Sequence, residues 1–339
     1  MRVFFVGDFK KNTGPGIANQ AIRKGLHNND KMLYSDANNK VIRVFEMLRK
    51  TIVSDCVCFC SPSKANLIGL KIAKVFSKKA FYVMHGYLTL ENKINNESIS
   101  QSEIKKINSF EKSIFRNVDR VFCVSESFMN YMKSAEPEFK EKFDYNYNGL
   151  DLNKIKDRTK KYCANKNPRQ IVSIGGGMKR KNNLAVCEAI DKLNKEKNMN
   201  LKYIVIGLPY TDKERICSFD FVTYYDELSH DKVLEILAES YLYVQNSTFE
   251  TFGLALIEAL VSKCNLLVSN RVGAIGVIKT ISDEDLIFNQ NNIEEIANKI
   301  ENVMTCENAD RLYSGISSEE IDFEKAAKSL VEKIKNRLV

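Results

Sequence analysis

Apolar runs alternate with stretches of helical period along almost the whole chain. Residues 2–6, 56–60, 80–84 and 121–124 read as strands, as does Lys31-Met-Leu-Tyr-Ser35, which ends at Asp36. Ile17, Ala21 and Leu26, and the stretches 40–50, 64–77, 101–117 and 126–134, carry helical spacing. The pattern restarts at 170–174 and continues through 203–206, 221–224 and 241–244. It ends in one amphipathic helix bearing Phe323, Ala326, Ala327, Leu330, Val331, Ile334 and Leu338. Strand–helix alternation predicts a parallel sheet wound on both faces. It predicts two such sheets here, because residues 152–168 between the sets are polar, Lys-rich and end at Pro168. The expected division is a domain over 1–151, a linker over 152–168, a second domain over 169–318 and a terminal helix over 319–339.

One junction carries chemistry. The strand 241–244 runs into polar, turn-prone Gln245-Asn-Ser-Thr248, and from Gly253 onward Leu254, Ile257, Leu260 and Val261 recur at helical spacing. Glu250 falls in the loop, and Glu258 about two turns further on at ~1.5 Å rise per residue. A helix N-terminus presents unpaired N–H groups and a partial positive charge to an anion. Gly253 lets that anion approach the backbone, and a neighbouring carboxylate accepts hydrogen bonds from sugar hydroxyls. The junction therefore suits a sugar joined to a diphosphate, against the plainer reading of an α/β connection with two solvent-facing glutamates.

Two glycine loops sit at comparable turns. Gly175-Gly-Gly177-Met-Lys-Arg-Lys181-Asn-Asn183 follows a strand and opens a helix, a setting for a phosphate cradle. It lacks the Gly-Lys-Ser/Thr ending of a nucleoside-triphosphate loop. Gly14-Pro-Gly16-Ile-Ala-Asn19 half-matches a dinucleotide fingerprint, but no ribose-binding acid stands out on the next strand, so a nicotinamide cofactor is not expected. His85-Gly86 falls at the carboxyl end of a strand, where wound sheets bind ligands. Ser125 after its strand reads as a helix cap.

Charge changes the picture in one half. Residues 1–150 carry 24 Lys and Arg against 15 Asp and Glu, while the rest of the chain carries 27 against 28. A basic first half fits an anionic partner, whether membrane surface, phosphorylated lipid or nucleic acid, or a solubilising Lys-rich surface. Nine cysteines without framework spacing fit a reducing, cytoplasmic setting, and Cys56, Cys58 and Cys60 alternate as a buried strand face rather than a metal site. No apolar run is long enough to span a bilayer, and the short apolar start reads as a strand rather than a signal peptide.

Glu250-Thr-Phe-Gly-Leu-Ala-Leu-Ile-Glu258-Ala259 resembles the hallmark of the family 4 glycosyltransferases, in which two glutamates flank seven residues that begin with x-Phe-Gly. Asn148-Gly149-Leu-Asp151 resembles the family's domain-exit segment, and Gly175 to Asn182 its Gly-x-x-x-x-Arg-Lys-Asn variant. The resemblance implies the GT-B architecture: two doubly wound, Rossmann-like α/β domains facing a cleft, with the terminal helix crossing back onto the first. It implies retaining transfer of a hexose or hexosamine from a nucleotide sugar, a UDP-sugar or GDP-mannose, to a saccharide or lipid-linked acceptor in polysaccharide or glycoconjugate assembly. No cofactor, obligatory metal or nucleic acid is implied. The cysteines set the expectation of a cytoplasmic protein, and the basic first half that of peripheral contact with the anionic inner face of the cell membrane.

Residue by residue, the resemblance puts Lys181, with Arg180, and the N–H groups of Gly16 and of Phe252, Gly253 and Leu254 on the donor diphosphate. Glu258 falls on the ribose, Glu250 on the sugar near its reacting face, Tyr225 near the base, and His85 at the sugar or acceptor. The chain departs from the pattern at Gly176, where an Arg is common, at Lys263-Cys264-Asn265, where Gly-x-Pro is usual, and at Gly273-Ala274 and Gly276. Two other readings stay open: another enzyme of this architecture, such as an epimerase or phosphorylase, and a non-catalytic accessory subunit.

Overall fold

The structure, a computed structural model, describes residues 1–11, 13–37 and 39–338. The chain divides into two compact units, one of residues 1–150 with 318–339 and one of residues 151–317.

The first unit holds six strands: β1 (Val3–Val6), β2 (Met32–Tyr34), β3 (Cys56–Phe59), β4 (Lys79–Met84), β5 (Arg120–Cys123) and β6 (Phe143–Tyr145). They pair in the order β2-β1-β3-β4-β5-β6, every pair parallel. Their sequences are continuously apolar rather than alternating, and burial explains it. Val3, Phe4, Phe5 and Val6 are all fully buried, because helices cover both faces of a parallel sheet and both sets of side chains need apolar partners. Cys56, Cys58 and Cys60 are buried free thiols in that core. Residues 318–339 complete this unit. Leu150 donates its N–H to Ile321 O at 2.7 Å, and the helix Phe323–Lys335 packs on the helix Gly14–Gly25.

The second unit also has six parallel strands: β7 (Asn167–Ile174), β8 (Lys202–Ile206), β9 (Val222–Tyr225), β10 (Ser240–Gln245), β11 (Asn265–Ser269) and β12 (Leu286–Ile287), in the order β12-β11-β10-β7-β8-β9. Residues 152–168, expected as a linker, carry the helix Leu152–Thr159 and the turn Cys163–Asn165 and group with this unit. Both sheets reverse direction once. In the first unit the chain runs from β1 out to β2 and returns on the far side of β1 as β3; in the second it runs β7, β8, β9 and returns beside β7 as β10. Loops leaving the carboxyl ends of two such strands diverge and open a crevice.

Candidate active site

The crevice of the second unit is built where β7 and β10 end. After β7, Gly175 (φ 135°) and Gly176 (φ 59°) turn the chain back on itself. Their N–H groups donate to Ile206 O at 2.7 and 3.0 Å, and that of Gly177 donates to Leu208 O at 3.3 Å. These donors are engaged by the end of β8 and the loop beyond it, so the glycine turn is no backbone cradle, and the loop meets an anion with the side chains of Arg180 and Lys181. A Cβ on Gly175 would stand 2.5 Å from Lys181 Cγ, so the absent side chain is where the Lys181 stem lies.

After β10, the loop carrying Glu250 is fixed on both sides. Thr248 donates its N–H to Arg180 O at 2.8 Å, and Glu250 its own to Arg271 O at 3.1 Å. Gly273 and Ala274 return N–H bonds to Glu250 O and Phe252 O at 3.0 and 2.7 Å. The Glu250 carboxylate accepts from Arg180 Nη1 at 3.1 Å and also from Lys181 Nζ. All three side chains are largely buried. Burial alone would raise the Glu250 carboxyl, but the Lys181 and Arg180 charges outweigh it and hold it down at about 2. The result is two cations on one carboxylate, a net positive cluster at the mouth of a crevice.

Gly253 (φ 100°) then enters the helix Leu254–Val261, whose N-terminus no side chain caps. Phe252 is buried beneath it. Glu258 is buried little more than one turn along, and its Oε1 lies 2.8 Å from His230 Nε2. His230 was not expected from sequence. It opens the helix His230–Glu239, directly after the loop that follows Tyr225, and nothing local ties it to a carboxylate 28 residues away. Tyr225 leaves its ring exposed and its carbonyl accepts from Gly207 N–H at 2.8 Å. The hydrogen bond that His230 donates to the Glu258 carboxylate raises its pKa above the ordinary imidazole value, against burial. A raised folded-state pKa means the pair stabilises fully below the unfolded value of about 6.5 and loses that contribution as pH rises through the folded one. An NMR titration should therefore place His230 above the usual range, and Glu258→Gln should return it there; an identical curve in both proteins would show that the pair does not form.

His85 and Gly16 lie in the first unit. Asn19 occupies that unit's reversal point: its Nδ2 donates to Asp8 O after β1 and to Cys60 O after β3, both at 3.1 Å. This leaves Oδ1 to accept from His85 Nε2 at 2.9 Å. Burial drives the His85 imidazole down to about 4, so it is neutral with its proton on Nε2. Gly16 has its N–H on the capping Thr13 Oγ1 at 3.3 Å, and a Cβ there would come 2.2 Å from Lys11 O. Close chain approach thus accounts for that glycine. Ser125 caps the helix Glu126–Ala135 by accepting from Phe128 N–H. Among the described residues no group of three or more His, Cys, Asp or Glu is placed to hold a metal ion.

Residues 154–317 match the family model described as glycosyl transferases group 1. No curated protein matches the sequence. Among solved structures, HepE from Anabaena in complex with UDP-glucose superposes with a TM-score of 0.71 at 16% identity, covering 99% of this chain and 100% of that one. Sucrose-phosphate synthase from Thermosynechococcus elongatus gives 0.72 at 14%, covering 99% of each chain. The catalytic domain of starch synthase IV from Arabidopsis thaliana, bound to ADP and acarbose, gives 0.67 at 11%, also covering 99% of each. The two wound parallel sheets are those of the GT-B fold, and with a glycosyl transferases group 1 domain over residues 154–317 the chain is a GT-B glycosyltransferase.

Proposed function

We propose that the chain is a retaining enzyme of family 4, moving a hexose or hexosamine from a nucleotide sugar to a saccharide or lipid-linked saccharide. The observation that carries this reading is the Lys181–Glu250–Arg180 cluster at the carboxyl ends of β7 and β10. Transfer breaks the bond from the anomeric carbon to the phosphate oxygen and forms one to the acceptor oxygen on the same face. Negative charge builds on the departing diphosphate, and fixed positive groups are what lower that barrier. Lys181 and Arg180 meet the diphosphate, together with the amino end of the helix beginning at Leu254. Glu250, ionised throughout the physiological range, orients the sugar as the two cations turn to the phosphates. Glu258, backed by His230, accepts from the ribose, and Tyr225 lies near the base. Neutral His85, held by Asn19, faces sugar or acceptor, with Gly16 on the donor side of the same unit.

A UDP-sugar fits best, since HepE was solved with UDP-glucose, and GDP-mannose is the competing donor. With basic side chains meeting the charge, no metal is required. Thermal shift across nucleoside diphosphates and nucleotide sugars tests the reading, because a ligand of the folded state raises its apparent stability. One base should shift unfolding clearly above the others, and sugar transfer with its best donor should survive EDTA and yield the donor's anomeric configuration. Loss of all activity in EDTA, restored by Mn²⁺, would overturn the phosphate chemistry, and an inverted product would overturn the assignment to a retaining family.

A further inference from the structure

The first unit carries an apolar surface that the donor chemistry does not use. Of the fourteen exposed large hydrophobic residues among those described, nine fall between Val41 and Phe76. They belong to the helix Lys40–Ile52 with the adjoining Val53, and to the helix Lys64–Val75 with the adjoining Phe76. The two helices connect β2 to β3 and β3 to β4, both running the same way across the sheet. Right-handed crossovers place them side by side on one face. They pack closely there, since a Cβ on Gly69 would come within 3.1 Å of Met47 Sδ.

The first helix is amphipathic in an unusual sense. Its inward stripe is thin, marked by buried Met47 and Thr51, while Val41, Phe45, Leu48 and Ile52 form an outward row at i, i+4, i+7 and i+11. Phe45 is 67% exposed, and Val75 on the neighbouring helix 77%. Basic side chains run among these apolar ones: Arg49, Lys64, Lys71 and Lys74 are exposed and pair with no carboxylate among the described residues. Glu46 is the one acid in either helix, and it is turned aside, bound to Lys50 Nζ at 2.6 Å and to the N–H groups of Asp36 and Ala37. Among the described residues no helix is long and apolar enough to cross a membrane.

We infer that this two-helix face is where the enzyme seats on an anionic lipid bilayer. Apolar residues among unpaired cations match the boundary of such a bilayer, where side chains such as Phe45 and Ile42 enter the acyl edge and lysines reach up to phosphates. A second copy of the chain is the poorer occupant, because a two-fold contact would press two basic faces together. The inference gives the membrane contact expected from the sequence a surface, and it does not depend on which donor is used.

The test is cosedimentation of the full chain with vesicles of phosphatidylcholine, with and without phosphatidylglycerol, at low and high salt. The parent should partition onto the anionic vesicles and weaken in salt. Val41→Ser with Phe45→Ser should lower partitioning at least tenfold, and Lys71→Glu with Lys74→Glu should abolish the preference for anionic lipid. Because the chain has no tryptophan, Phe45→Trp supplies a single reporter whose emission should shift to the blue on anionic vesicles. No binding by the parent, no emission shift, or variants that bind like the parent would overturn the inference. So would a dimer in sedimentation velocity that Phe45→Ser dissociates. Nucleoside diphosphate affinity should stay unchanged in these surface variants; failure of nucleotide binding in the parent would count against the donor reading while leaving the vesicle result to stand separately.

Discussion

Lys181→Ala should weaken nucleoside diphosphate binding by roughly 10- to 150-fold, the equivalent of losing one charged hydrogen bond of about 1.5–3 kcal/mol. Sugar transfer should fall further, by about 10²–10³, because the ammonium also meets charge that develops only as the sugar leaves. Glu250→Gln should separate these effects in the opposite sense. In the free enzyme its carboxylate holds Arg180 and Lys181, so a diphosphate must draw both cations away from it. With glutamine there, the cations are freer and nucleoside diphosphate binding should be unchanged or tighter. Transfer should still collapse, because the group that orients the sugar is lost. Calorimetry with the sugar-free diphosphate and steady-state transfer with the intact donor read the two quantities separately. A Glu250→Gln protein that transfers like the parent would move Glu250 out of the reaction and return it to a purely structural salt-bridge role.

The sheets were legible because their signal is local and redundant. Runs such as Val3–Val6 and Cys56–Phe59 are buried on both faces, so every residue in them reports the same fact. The junction at Glu250 was legible for the same reason: buried strand, polar loop, glycine and helix succeed one another within a few residues. What escaped depends on partners distant in sequence. The helix Leu88–Asn95 buries none of its residues and so shows no period. Its first N–H groups are satisfied by Glu111, which accepts from Leu88 and Thr89 at 2.8 and 2.9 Å from another helix. The helix Ile293–Thr305 also went unread, although its Asn292 cap and the spacing of Ile296, Ile300 and Val303 are local signals.

The departures from the family pattern had physical answers that only coordinates supply. With Gly176 where an Arg is common, Arg180 is the expected second cation, and its side chain reaches Glu250 from one residue before Lys181. Lys263, standing where a glycine is usual, adopts the left-handed φ of 64° that ends the helix Leu254–Val261. Such a conformation disfavours a side chain. Its ammonium bonds Asp310 and lies 4.5 Å from the Tyr313 ring centroid, contacts that offset the strain. His230 beside Glu258 had no local signal at all.

Gly175→Ala should damage stability and nucleotide binding together, and Lys181 is the reason. At φ 135° an L side chain is strained whatever the space around it, a cost of about 1–3 kcal/mol. The new methyl would also stand 2.5, 2.8 and 2.9 Å from Cγ, Cδ and Cε of Lys181, so the stem must leave. Its ammonium would then lose Glu250, and the diphosphate would lose its ligand. Thermal unfolding should fall by several degrees, and nucleoside diphosphate affinity should approach that of Lys181→Ala. The double variant distinguishes this account from general disruption of the loop. Once alanine replaces Lys181 there is no stem to displace, so the second substitution removes the steric conflict created by the first. The two destabilisations should sum to less than their separate values, by a coupling within the range of about 0.5–3 kcal/mol seen for residues in contact. Nucleotide affinity in the double variant should be no worse than in Lys181→Ala alone. Strict additivity in both measurements would mean that Gly175 is required for the turn alone and that the Lys181 stem does not lie against it.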